Sequence, residues 1–370
     1  MKTFVTLFNS YTVHLTKDVG LIPYGMKVYS GFKSYLATYE NDLSTTNYIL
    51  DELKIWRVKK ITGNFDVDSL FFLIRNAKKI DVLNIYHMKG QSGLKAVIYK
   101  LFNPNGKIYF KFDSSILRDT SRFWKKIACD LLIERSDLIS TEIESMTDDM
   151  SKSWNKKISF IPNPYNPKEQ GDFIPYKNRK NQLLTVGRIG SHQKATGNLI
   201  KAFSRVYNNI HEWNLVLVGP KEEIDVDTDF EIDLKEIYKE YPDIKDRIRF
   251  VGNIQNRNTL KKIYSESKIF ILPSRYEGFG IAAIEACNNG CYFIGTDIPS
   301  SRAITENYKY CSFCEVDNIE GLAECIVDAC ENIDRYEDDA EKLFEIVREK
   351  YSLKKIANEI TIGLYGEHNE

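Results

Sequence analysis

The stretch "PSRYEGFGIAAIEACNNG", residues 273–290, sets Glu277 and Glu285 on either side of a Gly-x-Gly turn, with seven residues between them. Gly278 and Gly280, with Phe279 between them, let backbone N–H groups approach a ligand closely. A helix start just beyond such a turn favours an anion such as phosphate. Glu285 lies five residues past Gly280, roughly 7–8 Å along a helix axis at ~1.5 Å per residue, so it stands beside the anion position rather than on it. Carboxylates there would repel phosphate but are strong acceptors for vicinal hydroxyls. A ligand with hydroxyls on both sides of a diphosphate suits all these groups at once, and a nucleotide sugar has that form.

A diphosphate carries about two negative charges, more than a helix dipole worth ~0.3–1 kcal/mol holds alone. Cations are therefore expected. The stretch "VGRIGSHQKATG", residues 186–197, places Arg188 and Lys194 six residues apart in a polar loop after a strand pattern. Arg188 suits a fork-like grip on the diphosphate, and Lys194 suits neutralisation of the leaving oxygen as a point charge.

The elements that must position these residues show in the hydrophobic pattern. Strand-length apolar runs occur at 3–8, 47–50, 81–86, 107–112 and 137–141, then again at 182–188, 214–220, 247–252, 268–274 and 291–297. Helix-period segments such as 69–80 and 93–102 lie between them, and three more close the chain. This alternation predicts an α/β protein of two doubly wound, Rossmann-like domains with a cleft between them, ligands lying beyond the carboxyl ends of the strands. The pattern breaks over 160–181, which holds four prolines and no helical period, the mark of an interdomain segment.

"GRIGSHQK", "PSRYEGFGIAAIE", "IPNP" and "GTDIPSSR" together resemble the retaining GT-B glycosyltransferases that carry the Glu-x7-Glu motif (glycosyl transferases group 1, family 4), most specifically over about 160–310. The resemblance implies an acceptor-binding domain at 1–165, a linker at 166–181, a nucleotide-sugar-binding domain at 182–350, and a last helix, 351–370, crossing back to the first domain. It also implies that Arg188 and Lys194 bind the donor diphosphate, Glu285 the ribose, and Glu277 the hydroxyls of the transferred hexose. The loop 16–25 would bring Gly20 and Gly25 to the donor phosphates, and Gly252 and Asn253 mark a candidate nucleobase region. Relatives often have a His after the strand 107–112, where this chain has Asp113. That residue either orients or deprotonates the acceptor hydroxyl or caps the next helix; His87 is a second candidate, more readily read as a structural imidazole.

The expected activity is transfer of a hexose from a UDP- or GDP-sugar to a glycan or lipid-linked acceptor in cell-surface polysaccharide or lipopolysaccharide biosynthesis. No cofactor or metal is expected beyond the donor substrate. Another GT-B enzyme such as a phosphorylase, or a catalytically silent GT-B subunit supporting a partner transferase, is the alternative. A paired-carboxylate glycosidase would leave Arg188 and Lys194 without a task.

Other features narrow the class. "DVDTD" (225–229) has an Asp-x-Asp pattern but sits in an acidic loop of the wrong architecture. Cys287, Cys291, Cys311 and Cys314 approach zinc spacing, yet the first two read as small core residues. Seven scattered cysteines fit a reducing compartment, and "MKTFVTLFNSYTVHL" reads as neither signal peptide nor membrane span. A cytoplasmic location is expected. Net charge is −1, but residues 1–160 hold 24 Lys+Arg against 17 Asp+Glu. That excess, with the clusters "KIWRVKK" (54–60) and "RFWKK" (122–126), makes an anionic inner-membrane surface a candidate partner; no nucleic-acid motif is present.

Overall fold

The computed structural model describes residues 1–10, 12–39, 53–112 and 123–366. The chain forms two compact units, Met1–Asn166 together with Tyr351–Glu370, and Pro167–Lys350.

The first unit is built on a parallel seven-stranded sheet of β1 (Thr3–Leu7), β2 (Lys33–Thr38), β3 (Lys54–Arg57), β4 (Val82–Tyr86), β5 (Lys107–Phe112), β6 (Leu138–Thr141) and β7 (Ser159–Phe160), in the order β3-β2-β1-β4-β5-β6-β7. All five residues of β4 are buried, as expected for a strand covered by helices on both faces. The helix Phe65–Asn76 starts where Asn64 accepts from the amides of Asp66 and Val67, a side-chain N-cap. The helix Leu353–Tyr365 presents Ile356, Ala357, Ile360 and Leu364 at helical spacing to Phe4, Met26, Val82, Tyr109 and Leu138. It thus completes the core of the first unit from the far end of the sequence.

Several sequence expectations need correction here. The residues read as a flexible glycine loop are helical over Asp18–Val28, with Pro23 inside the helix. A side chain at Gly20 would lie 2.3 Å from the Leu15 carbonyl oxygen, and one at Gly25 would lie 2.6 Å from Leu353 Cδ1. Both glycines serve close packing within a helix rather than a flexible loop. Strands β2 and β3 were not anticipated, while the run 47–50 lies outside the described residues, as does Asp113. Trp56 of the basic cluster points inward, with its ring 5.1 Å from Tyr35 and 5.2 Å from Phe72.

The second unit has a parallel six-stranded sheet of β8 (Lys180–Val186), β9 (Asn214–Val218), β10 (Ile248–Gly252), β11 (Ser267–Leu272), β12 (Tyr292–Thr296) and β13 (Ser312–Cys314), in the order β10-β9-β8-β11-β12-β13. The strand order reverses between β8 and β11, and such a switch point opens a crevice at the carboxyl ends of the two strands. Gly219 closes the neighbouring strand ends: its φ is +147°, and a Cβ there would sit 1.7 Å from the Gly187 carbonyl oxygen. Among the described residues, no helix is long and apolar enough to cross a membrane.

Candidate active site

Two loops meet at the β8/β11 switch point. The loop after β8 carries Arg188, Gln193 and Lys194; the loop after β11 carries Ser274, Arg275, Tyr276 and Glu277. The Arg275 amide donates to the Gln193 carbonyl at 2.9 Å, and Gln193 Nε2 donates to the Tyr276 carbonyl at 3.0 Å. Ser274 donates to Glu277 Oε1 at 2.6 Å. Across the junction Lys194 Nζ lies 2.6 Å from the same oxygen, and the two side chains are only 18% and 7% exposed. Lys194 and Glu277, 83 positions apart in sequence, are therefore held as a largely desolvated ion pair.

Arg188 stands beside them under tight control. Its Nη1 donates to Glu222 Oε2 at 2.6 Å and its Nη2 to Gln193 Oε1 at 2.5 Å. A guanidinium has five N–H donors in a planar fork, so these contacts orient it while leaving donors for an anion. Amides of residues 224 and 223 hold the Glu222 carboxyl below its ordinary range, working against desolvation and helped by Arg188. Asp225 does similar work for the β8 loop. It accepts from the Gln193 amide at 3.1 Å and from Ser191 Oγ at 2.9 Å, and these contacts lower its pKa despite desolvation. The acidic "DVDTD" loop is thus a brace: the Asp227 amide bonds the Gly190 carbonyl at 2.7 Å, and Asp227 pairs with Arg275 at 3.6 Å.

Glu285 occupies a separate position on the helix Ile281–Cys287. One oxygen is paired with Arg257, and the other accepts from the Tyr264 hydroxyl at 3.0 Å. Burial pushes the Tyr264 phenol well above its ordinary range, and the Glu285 charge adds to the effect, so this tyrosine stays protonated and donates. Arg257 opens the helix Arg257–Glu266, capped by Asn256, five residues after Gly252, the last residue of β10, and four after Asn253. Gly252 has φ +79° with open space where a side chain would be.

The turn between the glutamates is built as its glycines require. Gly280 has φ +81° and faces Ile304, while the Cβ direction at Gly278 is open. The helix after it has only seven residues, so side-chain cations must supply most of the positive charge facing an anion. The four cysteines with zinc-like spacing do not form a metal site among the described residues: Cys287 and Cys291 are fully buried in the core.

In the first unit, His87 follows β4 with φ +61°, half-buried, its ring 5.5 Å from Phe8. Sequence reasoning missed Gln193, Glu222, Asp225, Arg257 and Tyr264. Only one carried a local signal, since Asn256 before a helical run is an N-cap pattern that points to Arg257 at the helix start.

Two parallel α/β units of this construction, each wound about a strand-order reversal, make a GT-B fold. A glycosyltransferase from Rickettsia africae matches with a TM-score of 0.76 at 17% identity, over 100% of this chain and 99% of the other. Anabaena Alr3699/HepE, solved in complex with UDP, matches with a TM-score of 0.73 at 12% identity, over 99% and 100%.

Residues 168–343, the greater part of the second unit, match the family described as glycosyl transferases group 1. In sequence the chain is similar to the O-antigen chain mannosyltransferase RfbU of Salmonella typhimurium, 30% identical over 198 residues, 53% of this chain and 51% of that protein. The chain thus spans about half the length of that relative.

Proposed function

We propose that this protein is a retaining glycosyltransferase that moves a hexose from a nucleoside diphosphate sugar, UDP- or GDP-linked, to a glycan or lipid-linked acceptor in cell-surface polysaccharide or lipopolysaccharide biosynthesis. The observation that carries this reading is the Lys194–Glu277 pair at the β8/β11 switch point, with Arg188 beside it and Glu285 on the helix beyond the glycine turn. The O-antigen role in the name of RfbU and the UDP in the HepE complex support the acceptor class and the donor.

The chemistry follows from exchange of partners. Donor binding would let Lys194 trade the Glu277 carboxylate for an oxygen of the leaving phosphate, while Glu277 accepts hydrogen bonds from hexose hydroxyls. Neither group is left buried and unpaired, which avoids a penalty of several kcal/mol. Arg188, already aimed by Glu222 and Gln193, would add fork-like contacts to the diphosphate.

As the bond between the anomeric carbon and the phosphate oxygen breaks, negative charge grows on that oxygen, where a preorganised cation acts most strongly. The acceptor oxygen bonds to the anomeric carbon on the same face, and its proton passes to the departing phosphate. Glu285, held by Arg257 and Tyr264, would accept from the ribose hydroxyls.

Calorimetric titration with UDP-, GDP- and ADP-sugars tests the donor reading, using wild type and Glu285→Ala. One nucleotide should bind wild type, and the variant should bind it at least tenfold more weakly. Absence of binding to all three, or equal binding by the variant, refutes it. NMR coupling at the anomeric centre of the product tests retention, and an inverted anomer rejects it.

A further inference from the structure

We infer that the second unit holds a further ligand site, at the amino ends of β8, β9 and β11, which takes a sugar phosphate. A depression of about 550 Å³ opens there, lined by Lys177, Arg179, Lys180 and Lys268, with Glu212 as its one carboxylate. The strand register puts it at the opposite end of the sheet from the candidate active site. Lys180 stands against Ser267 and Gln182 against Asn214, all at or near strand starts, whereas Lys194 and Glu277 lie beyond the strand ends. The seven residues of β8 separate the two places, roughly 23 Å at ~3.3 Å per residue. A hexose phosphate is too short to span both.

The cations in the depression lack counter-charge. Arg179 is only 7% exposed. Its Nε donates to the Ile174 carbonyl at 2.7 Å and its Nη1 to the Ser267 carbonyl at 3.1 Å, and both partners are neutral. Burial pushes the neighbouring Cys291 thiol up to about 12, so it adds no negative charge at neutral pH. Lys268 donates to Asn181 Oδ1 at 2.6 Å, again a neutral oxygen. Lys180 shares one carboxylate with Lys262, Glu266 lying 2.5 Å from the first and 3.7 Å from the second. Lys177 is exposed and, among the described residues, forms no ion pair. Charges held by neutral acceptors keep their outward field, and an anion is what that field draws in.

The rest of the lining selects the kind of anion. Asn181, Gln182 and Asn214 add amides, and among the described residues no apolar or aromatic side chain borders the depression. A nucleobase finds nothing to stack on and an acyl chain nothing apolar to cover. Strand order sets Lys180 and Lys268 on the β8/β11 side and Glu212 with Asn214 on the β9 side. Glu212 Oε2 accepts from Asn181 Nδ2 at 3.4 Å, and a carboxylate has lone pairs for further donors. It would repel a bare anion yet accept from sugar hydroxyls. A phosphate toward the lysines with hydroxyls toward Glu212 and Asn214 suits both sides. These groups stand apart from the donor-site reading and hold whatever nucleotide the other end of the sheet binds.

Calorimetric titration of the full chain with glucose 1-phosphate and glucose 6-phosphate, beside glucose and inorganic phosphate, tests the site. Wild type should bind at least one of the sugar phosphates about tenfold more tightly than inorganic phosphate, and glucose not at all. Lys177→Glu, on an exposed side chain, and Lys268→Met should each weaken that binding about tenfold, the scale of one charge-assisted hydrogen bond, with nucleotide-sugar titration unchanged. Glu212→Ala should weaken the sugar phosphate without weakening inorganic phosphate. Arg188→Met, altered at the other end of the sheet, should bind the sugar phosphate as wild type does. Absence of sugar phosphate binding, equal affinity for inorganic phosphate, or wild-type binding by both lysine variants overturns the assignment. So does loss of binding in Arg188→Met, which would put the ligand among the donor loops.

Discussion

Replacing Lys194 by Met keeps most of the side-chain volume and removes the charge that faces Glu277. At 2.6 Å and an effective dielectric of about 20, the bare attraction is about 6 kcal/mol. Withdrawing both groups from water consumes most of that, and Lys194 keeps some solvent contact, so the net coupling should be about 1.5–3 kcal/mol. The single variant also leaves Glu277 buried with Ser274 as its remaining hydrogen-bond donor. For a unit of this size the destabilisation corresponds to a fall in melting temperature of roughly 4–10 °C.

Glu277→Gln in the same background removes the stranded charge and should restore half or more of that loss, which a double-mutant cycle by scanning calorimetry reads directly. Donor turnover should behave differently. Lys194→Met should lower kcat by about 10²–10³, the scale for losing one preorganised electrostatic contact, and the double variant should not recover it. Unchanged melting for Lys194→Met, or additive losses in the double variant, would show that no pair exists. A normal kcat in the single variant would remove Lys194 from the chemistry.

Two further outcomes follow from the supporting residues. Arg257→Met should free the Glu285 carboxylate to turn and weaken donor affinity about tenfold, ~1.4 kcal/mol, with kcat nearly intact; a fall in kcat at unchanged affinity would contradict the positioning role. Asp225 has a folded pKa below its ordinary 3.8, set first by the Gln193 amide and then by Ser191. Its contribution is therefore present above about pH 4 and disappears as pH falls through the lower folded value. The melting-temperature gap between wild type and Asp225→Asn should be full at pH 6 and shrink below pH 4, and a gap that widens in acid would reverse the sign.

Much of the architecture was written locally. Runs such as "VLNIY" and "KIFIL" are apolar and rich in β-branched residues, so periodicity locates β4 and β11 without help from the rest of the chain. "KSYLAT" escaped notice because Lys33, Ser34 and Thr38 mask a strand whose inner residues are Leu36 and Ala37. The segment 16–25 misled for a physical reason: Gly20, Pro23 and Gly25 favour turns intrinsically, yet packing against Leu15 and Leu353 demands small residues in a helix.

At the candidate site, glycine spacing and charge type pointed to Arg188, Lys194, Glu277 and Glu285. Their counter-charges were invisible. Glu222 lies 34 positions from Arg188, and Arg257 lies 28 from Glu285, distances with no periodic signature. Glu222 reaches Arg188 because β9 and β8 are neighbours, whereas Arg257 reaches Glu285 between two helices that follow strands not adjacent in the sheet.

The helix Leu353–Tyr365 also bears on how the chain is made. The second unit is one continuous span, Pro167–Lys350, so during synthesis it can finish folding as soon as that span emerges. The first unit cannot, although it begins earlier: Phe4, Val82, Tyr109 and Leu138 await Ile356, Ile360 and Leu364. Its sheet must therefore remain with an apolar flank uncovered while more than 180 residues are added, about 10–40 s at 5–20 residues per second. In that interval the nascent first unit is the part of the molecule most dependent on chaperones.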